Sequence, residues 1–167
     1  MQIAIISDTH SYLDNKIWKY LNEVDEIWHA GDVGAKTVID QLEKLGKPLR
    51  GVYGNIDNHE IRKIFPEFQY FDIQGLRIGM THIAGNPGRY PSKIKDWFKQ
   101  HPCDLFICGH SHILKVTRDK EFGHLHMNPG AAGRHGFHQT KTILLLDINN
   151  GKPENLRVVE LGPRAKI

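Results

Sequence analysis

Cysteine is scarce in this chain: Cys103 and Cys108 are the only two. Two thiols make no disulfide framework, so a small cross-linked secreted scaffold is excluded and a reducing, cytoplasmic setting is expected. Long apolar runs are also missing. No stretch approaches the roughly 20 residues of a membrane span. The opening MQIAIISD has no basic leader before its apolar run, so no signal peptide is expected. Charge of one sign is lacking as well. The formal net charge is +3 and the lysines and arginines are scattered, which gives no positive track for nucleic acid. Aromatics make up 9%, and Phe122 and Phe137 stand apart from one another rather than forming a stacking platform. What remains is ordinary for a soluble globular chain: 167 residues, 40% apolar and 25% charged. One domain over residues 1–167 with a real core is expected.

Histidine, at 11, is the unusual count. Several histidines sit beside Gly or Asp rather than inside periodic segments. The stretch Ile3-Ala4-Ile5-Ile6-Ser7-Asp8-Thr9-His10 shows the pattern first. It starts as a short apolar strand and ends on a carboxylate and an imidazole two residues apart. Continued extended geometry would send Asp8 and His10 to one side.

The chain then alternates. Leu13, Ile17, Trp18 and Leu21 form a helical stripe, with Ser11 placed to cap it. Glu26 to Ala30 reads as a strand running into Gly31-Asp32. Val38, Ile39, Leu42 and Leu45 give a helix that Gly46 ends. Leu49 to Tyr53 is a strand stopped by Gly54-Asn55. This order indicates a layered α/β domain with functional residues at the carboxyl ends of strands. After Asn58 the pattern changes. A helical turn is expected over His59 to Ile64. Glu67 to Ile73 and Leu76 to Met80 make a hairpin through Gln74-Gly75. A helix covers Ser92 to Gln100. Further strands are expected at Leu105 to Cys108, Leu114 to Thr117, Gly123 to Met127, Thr142 to Asp147 and Leu156 to Leu161. So many strands in so short a chain point to two packed sheets with helices outside.

Just past the strands lie Asp8, His10, Asp32, Asn55, His82, His110 and His112. Each alone has a bland explanation: Asp32 and Asn55 suit turns, and His82 suits an edge. Their joint occurrence at five strand exits does not. Oxygen and nitrogen donors without thiolate suit Mn²⁺, Zn²⁺ or Fe. Seven ligands are too many for one ion and suit two, if one carboxylate bridges. The glycines at 31, 54 and 109 allow close backbone approach at such a crowded site.

Asp8-x-His10, Gly31-Asp32, Gly54-Asn55-x-Asp57, His82 and Gly109-His110-x-His112 resemble the ordered motifs of the calcineurin-like metallophosphoesterases. With Asn128-Pro129-Gly130-Ala131 and the short length, the chain resembles the small phosphodiesterase-type branch of bacteria and archaea, from residue 1 to about 148. The resemblance implies a four-layer α/β sandwich, two mixed sheets flanked by helices. It implies two divalent ions, Mn first, with Zn, Fe or Ni as alternatives. Asp8, His10, Asp32 and His112 would hold one, and Asp32 would bridge to a second completed by Asn55, His82 and His110. Two departures stand out. Many relatives carry His after the Gly-Asn, where this chain has Ile56. Thr81-His82-Ile83-Ala84-Gly85 replaces a tighter Gly-His-Gly.

Such a centre stays net positive and attracts a phosphate ester, which a metal-bridging hydroxide would attack in line. The expected activity is a metal-dependent phosphodiesterase acting on small phosphodiesters or cyclic nucleotides, with Asp8, Asp32, Asn55 and Asp57 as its catalytic residues. Asp57 is expected to orient His10 or its own turn. With Ile56 unable to protonate a leaving group, good leaving groups are favoured. The alternatives are a nuclease, ranked lower for want of a basic track, and an interaction scaffold. The same branch includes the retromer subunit, which has lost parts of this site, whereas here every ligand position is filled. A homo-oligomer stays open. Arg134, His135, Arg89 and Tyr90 are further candidates to border substrate. His29 reads as a satisfied core imidazole, Cys108 as packing, and His124 and His126 as one exposed strand face.

Overall fold

The computed structural model describes residues 1–164; residues 165–167, the end of the expected domain, lie outside the described residues. Among the described residues, ten strands form two five-stranded sheets. The first holds β1 (Gln2–Ile6), β2 (Glu26–His29), β3 (Leu49–Gly51), β9 (Thr140–Asn149) and β10 (Lys152–Pro163), in the order β10-β9-β1-β2-β3. The second holds β4 (Phe68–Ile73), β5 (Leu76–Thr81), β6 (Leu105–Ile107), β7 (Leu114–Arg118) and β8 (Leu125–Pro129), in the order β4-β5-β6-β8-β7. Both are mixed. Parallel pairs β1·β2, β2·β3, β5·β6 and β6·β8 are flanked by antiparallel partners.

Alternation along the strands builds three cores in four layers. Ile3 and Ile5 of β1 face Ile78, Met80, Leu105 and Ile107 between the sheets. Ala4 and Ile6 face the other way, onto α1 (Ile17–Leu21) and α2 (Lys36–Glu43). On the far side of the second sheet, Phe106 and Cys108 pack under Ile94 and Phe98 of α4 (Ser92–Gln100). The expected α/β sandwich is therefore the observed one. The turn Gln74-Gly75, with φ of 56° and 89°, closes the β4–β5 hairpin in the doubly left-handed geometry that matches strand twist. Asn58 caps α3 (His59–Ile64) by accepting from the Ile61 N–H.

Several boundaries differ from expectation. Ser11 does not cap α1, which starts only at Ile17 after Lys16; Ser11 instead sits at φ 65° in the loop that returns past Val33. β3 stops at Gly51, two residues short of Tyr53. β8 lies two residues later than expected, because Asp119 accepts from the Glu121 and Phe122 N–H groups and holds residues 119–124 as a turn. β10 begins at Lys152 rather than Leu156.

The largest correction concerns His124 and His126. They do share a face, but α4 and the loop before it cover that face, and each is 1% exposed. The Tyr90 hydroxyl lies 3.0 Å from His124 Nε2 and 2.8 Å from His126 Nδ1. Tyr90 is thus buried rather than bordering substrate. Burial pushes the Cys108 thiol up to about 12, so it is inert packing, as expected.

Burial also pushes His126 down to about 4 from an ordinary 6.5. The unfolded chain takes up this proton as pH falls through 6.5, and the folded chain does not until about 4. Stability is therefore lost as pH falls across that window, by about 2 kcal/mol between pH 7.5 and 5 for this one group. Urea unfolding at those two pH values should show His126→Gln losing less stability on acidification than the wild type, by about that amount. Equal losses would show that His126 is not buried neutral.

Candidate active site

β1, β2 and β3 run parallel, as do β5 and β6, so their carboxyl ends gather at one edge of the sandwich. Asp8, Asp32, Asn55, His82 and His110 leave from those ends. Asp8, His10, Asp32 and His112 form one group in which a ligand atom from each lies within 4.8 Å of the others, and Asp32, His82 and His110 form a second. Asp32 belongs to both. Its Oδ2 is 3.5 Å from His10 Nε2 and its Oδ1 is 3.2 Å from His82 Nε2. Asp8 Oδ1 lies 3.1 Å from His112 Nε2. Asn55 lines the same cavity as His10, Asp32, His110 and His112.

The backbone achieves this in a way the sequence does not show. Asp8, His10, Asp32, His110 and His112 all have φ between 45° and 68°, the left-handed region. An extended exit is the expectation for Asp8 and His10, and the same i,i+2 spacing recurs at His110 and His112. Instead each pair turns tightly, and His110 and His112 diverge into different groups. Non-glycine residues in this region carry strain, and its concentration here marks a functional site. The loops also crowd. A Cβ on Gly54 would lie 2.0 Å from Asp32 Oδ1, and one on Gly109 would lie 2.0 Å from Ser7 Oγ.

Local hydrogen bonds fix the donors. Asp8 Oδ2 accepts from Ser7 Oγ at 2.6 Å and from the His110 N–H at 3.2 Å, leaving Oδ1 to face the site. The Ala30 carbonyl, 2.8 Å from His82 Nδ1, takes that ring proton, so Nε2 presents a lone pair to Asp32. Asp8 Oδ1 and His82 Nε2 are buried and have no hydrogen-bond partner. Burial alone would raise the Asp32 carboxyl, yet the His82 ring, the Ile56 N–H and His10 hold it below the usual range. Burial alone would lower His82, yet Asp32, Asp8 and the Ala30 carbonyl hold it above its ordinary value. A carboxylate facing an imidazole lone pair across 3.2 Å calls for a cation, either a proton or a metal ion. The residues thus fit divalent ions.

Behind the donors, His29 is fully buried. Its Nδ1 accepts from the Gly31 N–H, and its Nε2 reaches Thr9 Oγ1, which donates to the Val33 carbonyl. It is a satisfied core imidazole, as expected. Asp57 does not line the cavity. Its carboxylate accepts from the Val33, Gly34 and Gly54 N–H groups at 3.1, 2.7 and 2.7 Å. Of the two expected tasks it performs the turn-orienting one and not the orienting of His10. Both oxygens are so engaged, and Asp57 lies behind the candidate ligands.

The chain belongs to the calcineurin-like phosphoesterase superfamily. The family's domain description matches residues 1–151. A probable metallophosphoesterase of Methanothermobacter thermautotrophicus is 30% identical over 138 residues, covering 78% of this chain and 77% of that one. A phosphodiesterase of Methanocaldococcus jannaschii is 29% identical over 127 residues, covering 67% and 74%. In fold, the chain is similar to Vps29 of Chaetomium thermophilum, with a TM-score of 0.76 and 17% identity over 96% of each chain. The family and the donor chemistry agree on divalent metal ions.

Of the outer candidates, His135 lines the cavity, its ring centroid 5.2 Å from that of His10. Arg134 does not line it; the guanidinium stacks on Tyr12 and donates to its hydroxyl at 2.7 Å. Phe137, set aside as a scattered aromatic, is on the cavity wall. So is Arg164, which the sequence reading missed. It is far along the chain from every ligand, and only the β9–β10 return brings it back. Its place directly after the last strand was the one available signal.

Proposed function

We propose that this chain is a metal-dependent phosphodiesterase that hydrolyses small phosphodiesters or cyclic nucleotides, using two divalent ions with Mn²⁺ preferred. The carrying observation is the pair of donor groups sharing Asp32 on the floor of an open cavity, with Asp8 Oδ1 and His82 Nε2 unpaired. Asp8, His10, Asp32 and His112 would hold one ion, and Asp32, Asn55, His82 and His110 the other. Bound ions would supply charge to neutralise the phosphoryl oxygens and to activate water.

The chain's own residues divide the remaining work. Asp8 and Asp32 provide the negative charge that lets two cations approach. The Ala30 carbonyl holds the His82 tautomer, and Asp57 holds the turns that carry Asp32 and Asn55. Ile56, half exposed on the cavity wall, offers no proton to a leaving group. Aryl esters and cyclic phosphates should therefore react faster than simple alkyl monoesters. Two buried free thiols suit a reducing, cytoplasmic compartment, and no helix among the described residues is long and apolar enough to cross a membrane.

Metal-stripped protein should hydrolyse bis(p-nitrophenyl) phosphate only after Mn²⁺ or a similar ion is returned. No turnover with any divalent ion would refute the enzyme. A scaffold is the second reading, favoured by the exposed apolar Ile113, Leu114 and Val116 at and beside the edge strand β7. Elemental analysis separates the two: near two ions per chain supports the enzyme, and none after gentle purification supports the scaffold.

A further inference from the structure

The cavity above the donors, about 400 Å³, is larger than one phosphoryl group requires. Its floor is His10, Asp32, Asn55, His110 and His112. Its walls are Ile56, His135, Phe137 and Arg164. Phe137 is 103% exposed and Ile56 43%, so two large apolar side chains meet water where substrate enters. An aromatic ring left open at a cavity mouth gains from a base or aryl group laid on it.

Arg164 supplies the complementary feature. Its backbone N–H donates to the Gln139 carbonyl at 2.8 Å and its Nε to the His138 carbonyl at 3.1 Å. Its stem is thereby tied to the loop over residues 133–139. Among the described residues no carboxylate oxygen lies within 4 Å of its guanidinium. A half-buried guanidinium on a cavity wall, with no carboxylate partner among the described residues, is a ready partner for an oxyanion.

This wall is registered to the reacting centre. A Cβ on Gly136, at φ +117°, would lie 2.0 Å from His112 Nδ1, so the loop backbone rests directly against a ligand ring. The His138 ring centroid lies 5.4 Å from that of His112. The backbone of the loop that carries Phe137, and to which the Arg164 stem is tied, is therefore set at a fixed offset from His112.

We propose that Phe137 and Arg164 select the substrate, a short nucleotide diester whose base stacks on Phe137 and whose second, terminal phosphate pairs with Arg164. The inference rests on the phosphodiesterase reading above. Hydrolysis adds one water across the diester: its oxygen bonds to phosphorus, the P–O ester bond breaks, and a proton goes to the departing oxygen.

The test compares a diadenosine diester bearing a 5′-phosphate with the same diester lacking it, for wild type, Arg164→Gln and Phe137→Ala. The wild type should prefer the phosphorylated diester in kcat/KM, chiefly through KM. Arg164→Gln should reduce that preference about tenfold, as expected for one charge-assisted pair. Phe137→Ala should raise KM for both diesters about fivefold or more. No wild-type preference, or a preference that Arg164→Gln leaves intact, overturns the phosphate assignment. Unchanged KM in Phe137→Ala overturns the stacking assignment. Should the wild type hydrolyse neither diester with any ion, the phosphodiesterase reading fails separately. Calorimetric titration with the phosphorylated diester then decides the inference: binding that Arg164→Gln weakens supports it, and absence of binding overturns it.

Discussion

Asp57→Ala should cost the protein roughly 3 to 9 kcal/mol of stability, because three backbone N–H groups each lose their acceptor at about 1 to 3 kcal/mol apiece. The carboxylate is 2% exposed, so water does not readily replace it. Val33 and Gly34 follow Asp32, and Gly54 precedes Asn55, so one side chain ties together the turns after β2 and β3. Loss of that tie should also loosen Asp32 and Asn55 and weaken metal binding, although Asp57 touches neither ligand group. Asp57→Asn should fall between. One amide oxygen can still serve the Val33 and Gly54 N–H groups, but the amide NH₂ then faces the Gly34 donor. Urea unfolding of the metal-free variants measures the stability, and Mn²⁺ titration measures the second effect. An alanine variant within about 1 kcal/mol of wild type would mean that the turns are held by other contacts.

The parts of this molecule legible in its sequence are those that local patterns control. Ile3 and Ile5 against Ala4 and Ile6 announce a strand buried on both faces, and the structure places them in two different cores. Gly before Asp32, Asn55 and His110 marks three of the five exits, because only a glycine tolerates the approach seen between Gly54 and Asp32. What stayed hidden depends on partners far along the chain. His124 and His126 look like an exposed face because nothing local says that Tyr90 and α4 will cover them. The left-handed backbone at Asp8, His10, Asp32, His110 and His112 is equally hidden, since residue preference argues against it and only the surrounding structure enforces it. Arg164 reaches the cavity through the pairing of β10 with β9, a long-range fact with no local signature.

Asp32→Ala should abolish tight binding of both metal ions and reduce hydrolysis to background, whereas Asn55→Ala should weaken one ion selectively. The two Asp32 oxygens face different groups, Oδ2 toward His10 and Oδ1 toward His82. Two divalent cations held by these adjoining groups would repel each other, and a shared carboxylate would offset that repulsion as well as ligate each. Its removal leaves Asp8 as the one carboxylate among the donors. Affinity at both positions should fall by at least about 100-fold, more than the loss typical of an outer partner. Asn55 would contribute a neutral oxygen and would have no such double role. Its alanine variant should keep the ion held by Asp8, His10, Asp32 and His112, and excess Mn²⁺ should restore part of the rate. Metal content after dialysis, together with rate against Mn²⁺ concentration, distinguishes these outcomes. Two tightly held ions in Asp32→Ala would show that Asp32 does not bridge. Asp8 would then have to take that role, since its Oδ1 also faces both groups, 3.1 Å from His112 Nε2 and 4.0 Å from His82 Nε2.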